Sequence, residues 1–272
     1  MFWASIHPLR RNFAHALTIL PLRGMNRNNR AGHVVWFMMF ILSHMLTDPH
    51  PCAYLPNQAC TMEYALVAGL LPSEYESLMN KGFRKFGNLL FRNACKACSE
   101  CRPIRIDVAR FRPDRCQRRV IRRSEDLELE YGDPLVDEEH LDLYRRYHSF
   151  RSQTRDWPEQ NRTVDEYASN FLDSQIPAIE IRVRDAGALR AVVLTDVTPN
   201  VLSGVYHYYD PEHVERSLGT FCMLQTIALA ARMKKPWAYF GYYVAGCGSM
   251  AYKARFRPCE VMTAGGKWSE IG

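Results

Sequence analysis

The sequence predicts an α+β protein in which an N-terminal cysteine-rich domain is followed by a second domain with a central mixed sheet. Three observations predict this organisation. Three cysteines at CxxCxxC spacing occur in the first half of the chain, next to a run of arginines. Three successive stretches of the second half are predicted to be strands, because turn residues separate them. A long apolar segment follows, and its length is that of a helix that packs against a sheet.

The overall composition is that of a globular protein with an anionic partner. Of the 272 residues, 47% are hydrophobic and 12% aromatic, which excludes a disordered chain. The net charge of +6 and the pI near 8.8 favour nucleic acid as the partner, with an anionic membrane surface as the alternative. The nine cysteines include a tight cluster, which is typical of metal-binding thiolates in a reducing compartment. We therefore expect a cytoplasmic protein.

Residues 1–44 differ in composition from the rest of the chain. They contain five arginines and no acidic residue, and the apolar run Val34–Leu42 lies near their end. That run is short for a membrane span, and no small-residue cleavage site follows it. We expect an upstream extension, with Met45 as the working start and no membrane association; a signal or membrane anchor is the alternative. The predicted domains are then 45–132, rich in Cys and Arg, and 133–272.

In the first predicted domain, local signals indicate one helix and three strands. Ser73 and Glu76 have the spacing of a capping box, and Gly82 stands where a helix would stop. Apolar and aromatic residues on either side of the cysteine cluster are typical of strands, and an alternating stretch follows. The predicted strands are Phe86–Phe91, Ile104–Val108 and Leu127–Tyr131.

The second predicted domain contains, in order, two helices, three strands, a long helix, a strand and a short helix. Thr163 and Glu166 form a second capping box, and Ser217 can cap the long helix. This order matches the layout of N-acetyltransferase-like (GNAT) domains, which by itself establishes no function. The predicted helices are Glu138–Phe150, Thr163–Leu172, Leu218–Met233 and Ser249–Ala254, and the predicted strands are Ala178–Arg184, Leu189–Val197, Val201–Tyr209 and Trp237–Gly241.

One detail argues against an acyl-CoA substrate. Acetyl-CoA enzymes of this fold bind the pyrophosphate with the backbone N–H groups of a glycine-rich loop before the long helix. The corresponding segment here, Arg216–Thr220, contains a single glycine, Gly219. We therefore expect a donor other than CoA.

The segment from Arg102 to Arg123 holds nine arginines and two acids, a surplus larger than the charge of the whole chain. A helix over Cys116–Arg123 places four of these arginines on one face, because positions i and i+4 share a face. Such a face repels itself, which favours an anionic partner, and arginine suits bidentate phosphate binding. A solvated basic face is the alternative. The predicted phosphate-binding residues are Arg112, Arg115, Arg118, Arg119, Arg122 and Arg123.

The CxxCxxC segment supplies three thiolates within seven residues. Sulfur ligands select Zn²⁺ or an iron–sulfur cluster, and either centre usually takes four ligands. The alternative is a set of reduced, buried cysteines without a ligand. The predicted metal ligands are Cys52, Cys95, Cys98 and Cys101, with Cys60 or Cys116 in reserve.

Aromatic and ionisable residues at the end of the third strand of the second domain are candidates for an active site. Side chains of Tyr206–Asp210 point alternately to the two faces of the strand. His207 is either a general base or a packed histidine, and Asp210 either holds the following turn or receives an amine.

A second group of candidates lies near the end of the chain. Lys253, Arg255 and Arg257 can clamp a carboxylate or the 3′ end of a nucleic acid, or they are surface cations beside Phe256. The selected catalytic candidates are Tyr209, Asp210, Tyr242, Tyr252, Lys253 and Arg255.

Eight stretches carry a family pattern, and together they cover residues 51 to about 268. In this order they resemble the aminoacyl-tRNA–protein transferases, which include arginyl-tRNA–protein transferases and bacterial aspartate/glutamate leucyltransferases. One departure is Lys85-Phe86, where the pattern suggests Arg-Ser. The matching stretches are Cys52–Pro56, Gly82–Gly87, Cys95–Pro103, Phe111–Arg119, Tyr209–Pro211, Ser217–Thr220, Tyr239–Tyr242 and Tyr252–Pro258.

The resemblance implies transfer of Leu from leucyl-tRNA to the N-terminal amine of proteins that begin with Asp or Glu, which marks them for degradation. Arg-tRNA as the donor is one alternative, and a non-catalytic RNA-binding or redox-sensing protein with a thiolate-bound metal is another. An aminoacyl ester is already activated, so no cofactor is expected for the transfer. The arginine stripe would hold the tRNA, and a cation among Lys253, Arg255 and Arg257 would pair with the acidic side chain of the acceptor.

Overall fold

The computed structural model describes residues 39–155 and 162–271, so most of the predicted extension lies outside the described residues. The strands are β1 Phe40–Leu46, β2 His50–Pro51, β3 Ala59–Cys60, β4 Met62–Ala68, β5 Arg84–Phe86, β6 Leu89–Asn93, β7 Arg102–Asp107, β8 Glu128–Gly132, β9 Ala178–Asp185, β10 Ala188–Val197, β11 Val201–Tyr209, β12 Trp237–Tyr243, β13 Cys259–Met262 and β14 Trp268–Ile271. The helices are α1 Pro72–Met79, α2 Arg115–Arg122, α3 Glu138–Arg155, α4 Val164–Phe171, α5 Leu218–Arg232 and α6 Gly248–Ala251, and 3₁₀ turns lie at Val214–Arg216 and Tyr252–Arg255.

The strands form two main sheets. An antiparallel sheet of four strands has the order β1-β4-β6-β5, and a mixed sheet of eight has the order β14-β13-β7-β12-β11-β10-β9-β8. In the large sheet only β11 and β12 are parallel, because α5 crosses between them. The predicted α+β class with a central mixed sheet is confirmed.

The predicted domain limits do not coincide with breaks in the sheets. Strand β7, which precedes residue 133, lies in the large sheet between β13 and β12. Strand β1 begins at Phe40, five residues before Met45, and pairs with β4 along its whole length. A separate cysteine-rich domain is therefore not visible, because the segment that follows the cysteines is part of the large sheet.

Helices cover both faces of the large sheet. Helix α5 packs on one face, where its apolar side chains join those of β7, β9 and β12 in one core cluster. Helices α3 and α4 cover the other face with tyrosines and phenylalanines, which also contact the small sheet. The aromatic composition of the second half of the chain is thus used to join the two sheets.

Three local predictions were wrong. Ser217 stands at the N-cap position of α5, but its side chain forms no capping hydrogen bond. The strand predicted at Phe86–Phe91 is the hairpin of β5 and β6, which turns at Gly87. A side chain there is excluded, because Gly87 has a φ of +54° and an added Cβ would lie 2.2 Å from the Ser169 carbonyl oxygen. The capping box predicted from Ser73 does not form: the N-cap of α1 is Leu71, two residues before Ser73, and Glu74 accepts a hydrogen bond from the Leu71 backbone N–H.

Strands β11 and β12 separate towards their carboxyl ends. Their parallel pairing is limited to three residue pairs, the last of which joins Ser203 to Tyr239. Beyond that point β12 carries a bulge opposite β7, with Gly241 at a φ of +70°. Beyond these pairs the two parallel strands are no longer hydrogen-bonded to each other. We call the region between their unpaired ends the cleft, because open α/β sheets bind ligands at such places.

No helix in the described part of the chain has both the length and the apolar character needed to cross a bilayer.

Candidate functional site

The Lys253 side chain lies at the bulge of β12. It belongs to the 3₁₀ turn that follows α6, and its Nζ donates a hydrogen bond of 2.8 Å to the Tyr242 carbonyl oxygen. An added Cβ at Gly241 would lie 4.0 Å from the same Nζ. The bulge and the 3₁₀ turn therefore place an amine beside the carboxyl end of β12.

The environment of this amine favours its neutral form. Burial, reinforced by the nearby charge of Arg84, lowers the pKa of Lys253 from 10.5 to about 7. A neutral amine can donate to the Tyr242 carbonyl and still keep a lone pair that accepts a proton. Lys253 thus has the protonation behaviour that general acid–base catalysis near neutral pH requires.

Tyr209 is the last residue of β11, the strand that borders the cleft opposite β12. Its hydroxyl accepts a 2.6 Å hydrogen bond from Arg151, and its ring lies 4.9 Å from the ring of Tyr147. Gly219 at the start of α5 faces this ring, and an added Cβ there would lie 2.9 Å from it. The glycine of the Ser217–Thr220 stretch is therefore explained by the close approach of α5 to Tyr209.

His207, on the same strand, is a packed histidine. It stacks on the ring of Tyr209 with 6.3 Å between ring centres. Burial, together with the charges of Lys253 and Arg151, lowers its pKa to about 4. The ring is therefore neutral at physiological pH.

Asp210 holds the turn after β11. Its carboxylate is fully buried and accepts bonds from Arg190 at 2.7 Å, from Arg146 at 3.0 Å and from the Glu212 backbone N–H at 3.1 Å. Burial alone would raise its pKa, but these bonds and charges hold the pKa below 3.8. Of the two predicted alternatives, these contacts favour the one in which Asp210 holds the turn.

Tyr242 and Tyr252 contribute buried phenols. The Tyr242 hydroxyl donates to the Gly82 carbonyl at 2.6 Å, and burial raises its pKa, so it stays protonated. Burial also raises the pKa of Tyr252, whose neighbours include Tyr209. Tyr242 therefore links β12 to the helix stop at Gly82.

Arg255 is exposed, and its backbone connects the site to the basic helix. The Arg255 carbonyl accepts a 3.1 Å hydrogen bond from the side chain of Gln117 in α2. The other end of the Gln117 amide caps α2, because its oxygen accepts the Asp114 backbone N–H at 2.9 Å. One buried glutamine thus joins the basic helix to the 3₁₀ turn that carries Lys253.

The predicted helix in the arginine segment is confirmed as α2, and its arginines are exposed. Arg105 and Arg110, earlier in the segment, form ion pairs with Glu260 and Glu270. Within the described ranges, 39–155 and 162–271, no acidic residue pairs with the six arginines that we call the basic patch. They are Arg112, Arg115, Arg118, Arg119, Arg122 and Arg123.

The predicted metal ligands line one cavity. A cavity of about 270 Å³ lies between the cysteine loop, β6 and Tyr242, and its walls include Arg92 and Arg102. All nine cysteines of the chain are free thiols. The four predicted ligands that line the cavity are Cys52, Cys95, Cys98 and Cys101.

Two thiols in or next to the cysteine cluster, those of Cys60 and Cys101, have raised pKa values. Burial, with the proximity of Cys95, raises the pKa of Cys60 to about 12, and burial also raises the pKa of Cys101. No group of three or more His, Cys, Asp or Glu side chains in the described residues has the geometry to hold a metal ion. The Zn²⁺ or iron–sulfur centre therefore stays a prediction.

Two family models match the chain. The model for the N terminus of the arginine-tRNA-protein transferases matches residues 50–119, and the model for their C terminus matches residues 139–263. Together they cover most of the described chain. The chain belongs to the arginine-tRNA-protein transferase family. The resemblance predicted from the sequence is confirmed.

Relatives of this transferase family carry a more specific name. A protein of Pseudomonas savastanoi pv. phaseolicola named aspartate/glutamate leucyltransferase is 38% identical over 231 residues, which cover 82% of this chain and 94% of the relative. A leucyltransferase of the same name from Pseudomonas putida is 39% identical over 228 residues, which cover 81% and 94%. Among solved structures, a C-terminal domain assigned to a lysylphosphatidylglycerol synthetase from Agrobacterium fabrum has a TM-score of 0.44 and 13% identity, over 73% of this chain and 63% of that domain.

Two residues that contact the site of this transferase-family chain were not among those predicted from the sequence. Arg84 lies under the bulge of β12, and Gln117 joins α2 to the site. Both lie inside the stretches that carry the family pattern, which was the only signal that could have found them. Their contacts lie 157 and 138 residues further along the chain, so local patterns contain no trace of them.

Proposed function

We propose that the chain is an aminoacyl-tRNA–protein transferase that moves leucine from leucyl-tRNA to the N-terminal amine of proteins beginning with Asp or Glu. The names of the relatives support the donor and the acceptor. The observation that carries the proposal is the Lys253 amine in the cleft, which Gln117 and Arg255 connect to the exposed basic patch. The second domain is then a GNAT-like domain, supported by the diverging strands β11 and β12 with α5 between them.

The reaction needs one proton acceptor. The α-amine of the acceptor protein, in its neutral form, attacks the carbonyl carbon of the aminoacyl ester, and a C–N bond forms. The nitrogen loses one proton to Lys253. The bond from the carbonyl carbon to the ribose oxygen then breaks, and that oxygen takes the proton back from Lys253. The Lys253 side chain thus ends in the protonation state in which it began, and the reaction consumes no nucleotide or cofactor.

The basic patch holds the tRNA in this proposal. Its six guanidinium groups are exposed and pair with no acid of the described residues, so they are available to phosphates. Phosphate contacts position a nucleic acid without reading its sequence. Because Gln117 links α2 to the 3₁₀ turn of Lys253, the basic patch and the Lys253 amine belong to elements in direct contact. The exposed Arg255 and Arg257 remain the candidates for the acidic side chain of the acceptor.

Arginine is the second candidate donor. The description of both family models favours it, while the names of the relatives favour leucine. An arginyl side chain carries a positive charge that a leucyl side chain lacks. Positive charges of the protein near the donor side chain therefore disfavour arginine. The buried Arg84 makes the surroundings of the Lys253 amine positive, which favours the uncharged leucyl side chain.

A transfer assay tests the proposed function. The 272-residue protein is mixed with a peptide that begins with Glu and with tRNA charged with labelled Leu or, separately, labelled Arg. A peptide that begins with Ala is the matched control. Label from Leu in the Glu peptide alone supports the proposal, and label from Arg alone supports the second donor. No label from either, with tRNA bound, would make the chain a non-catalytic RNA-binding protein.

A further inference from the structure

Arg84 is a buried arginine at the centre of the molecule. It lies on β5 of the small sheet and is 7% exposed, and its side chain reaches the large sheet. Its Nη2 donates to the Gly241 carbonyl at 3.1 Å and its Nη1 to its neighbour's carbonyl, that of Phe83, at 2.7 Å. The rings of Tyr239 and Tyr242 lie 5.7 and 5.5 Å from the guanidinium carbon.

These contacts leave the charge of Arg84 without an acidic partner. In the part of the chain that the structure describes, no carboxylate lies within 4.0 Å of its guanidinium, and its Nε makes no hydrogen bond. The next residue is different: Lys85 is equally buried but forms a 2.9 Å ion pair with Asp196. A buried charge without a counter-ion costs several kcal/mol. A fold that can pair Lys85 but leaves Arg84 unpaired indicates a functional use of the free charge.

The position of Arg84 defines that use. The carbonyl of Gly241 that it binds lies in the bulge of β12, and the next carbonyl, that of Tyr242, accepts the bond from Lys253. A planar peptide whose carbonyl is held cannot rotate, so Arg84 sets the direction of the bulge. The charged and titratable groups around the Lys253 amine are Arg84 from β5, Cys101 before β7, Cys247 after β12 and His207 from β11.

We propose that Arg84 is a positioning residue for the transfer reaction: its guanidinium holds the Gly241 carbonyl in place and sets a fixed positive charge beside the Lys253 amine. Two effects follow. The bulge keeps the shape that presents the Tyr242 carbonyl to Lys253, and the amine is kept from acquiring a second charge next to the first. The proposal rests on the proposed role of Lys253, and Arg84 itself touches neither substrate.

Two substitutions separate the two effects. Arg84→Gln removes the charge and keeps a hydrogen-bond donor for the Gly241 carbonyl. Arg84→Lys keeps the charge but loses the planar guanidinium, two of whose nitrogens donate to the carbonyls of Phe83 and Gly241. The rate kcat/KM is measured against pH. In Arg84→Gln we expect its acidic limb to move upward by about one pH unit, because a like charge nearby lowers the pKa of an amine by about that much or more. In Arg84→Lys we expect the acidic limb of the kcat/KM profile at the same pH as in the wild type, and a plateau value of kcat/KM about tenfold lower.

Arg184→Gln is the matched control. Arg184 lies on β9, is partly buried and pairs with Glu139, away from the cleft. We expect the same limb and plateau as in the wild type. An acidic limb that stays in place in Arg84→Gln, with a loss of activity that only follows a loss of thermal stability, would overturn the proposal and leave Arg84 a structural residue.

A titration that needs no activity keeps the test independent of the proposed function. The lysines are labelled with ¹³C-methyl groups, the Lys253 signal is assigned with Lys253→Arg, and its chemical shift is followed against pH. We expect the Lys253 midpoint to rise in Arg84→Gln and to stay in Arg84→Lys and Arg184→Gln. An equal Lys253 titration midpoint in the wild type and the three variants would contradict the proposed role of Arg84, even if the protein has transfer activity. A raised midpoint without any transfer activity would reject the proposed function and leave the charge coupling established.

Discussion

The side-chain amide of Gln117 donates to the backbone carbonyl of Arg255 across 138 residues of sequence. Because Gln117 lies one turn inside α2, this bond attaches the basic patch to the 3₁₀ turn that presents Lys253. The amide oxygen of the same side chain caps the helix. A single buried residue therefore links the basic patch to the turn that carries the amine.

Gln117→Glu is expected to lower transfer more than stability. The carboxylate can still accept the Asp114 backbone N–H, but it cannot donate to the Arg255 carbonyl. Loss of a buried hydrogen bond costs about 1–3 kcal/mol of unfolding free energy. Urea unfolding and the transfer assay measure the two effects. Asp114→Asn, which touches the cap alone, is the control, and an equal loss of transfer in both variants would contradict the linking role of Gln117.

Arg118→Ala with Arg122→Ala is expected to weaken tRNA binding and to lower the salt dependence of the binding constant by about 1 for each arginine. These side chains are exposed and pair with no acid of the described residues, so their removal costs the fold little. Arg110→Ala is the matched control, because Arg110 is an exposed arginine of the same segment that is already paired with Glu270. Binding is measured by filter retention at several salt concentrations. Equal losses in control and double variant would point to general charge in place of the patch.

Lys253→Arg is expected to abolish most of the transfer while tRNA binding stays. Burial and the charge of Arg84 lower the pKa of Lys253 to about 7, so in the wild type kcat/KM should rise with pH through this value as the amine loses its proton. Arginine cannot lose a proton in this range. The expected loss is about 10²–10⁴-fold, as for other general bases. A variant that stays active with an unchanged pH profile would remove Lys253 from the mechanism.

His140 is expected to make stability depend on pH. Burial alone would lower its pKa, but hydrogen bonds to Glu180 and Asp137 raise it above 6.5. The protonated ring therefore stabilises the fold fully below the ordinary pKa of about 6.5, and this contribution is lost as pH rises through the higher folded value. His140→Gln should cost most at low pH and less in alkali. Urea unfolding of both proteins over this range measures the difference, and a constant difference would contradict it.

Gly87→Ala is expected to destabilise the protein by about 3 kcal/mol, because a left-handed φ costs about 1–2 kcal/mol and overpacking at least 1 more. The added methyl would meet the backbone of α4 at Ser169. Gly187→Ala is the control, since Gly187 also has a positive φ, +82°, but an added Cβ there has no atom within 4 Å. It should cost only the backbone term of about 1 kcal/mol. Thermal unfolding measures both, and equal losses would mean that the contact with Ser169 is relieved.

Local patterns predicted the second half of the chain well. Strand β9 alternates between apolar and charged residues, β10 and β11 are rich in β-branched or aromatic residues between turn signals, and helix α5 is a long apolar segment. Their positions therefore follow from local patterns. The helix in the arginine segment was also predicted, because i and i+4 charges reveal a face.

The parts that local patterns missed depend on distant partners. Strand β1 is the end of an apolar run, and only its pairing with β4 makes it a strand. The hairpin turns at Gly87, and this position requires glycine because α4 leaves no room for a side chain. The candidate site shows the same limit: Lys253 was selected from the sequence, whereas the charge of Arg84 beside it becomes evident only when the two sheets meet.

The place of β7 has a consequence for the history of the chain. This strand precedes the second family segment, yet it lies inside the large sheet between β13 and β12, both of which follow that segment's start. A gene split between the two segments would leave one product with an unpaired strand and the other with a gap in its sheet. The two segments are therefore expected to be inherited as one unit, and separately expressed halves should regain activity only when they are mixed.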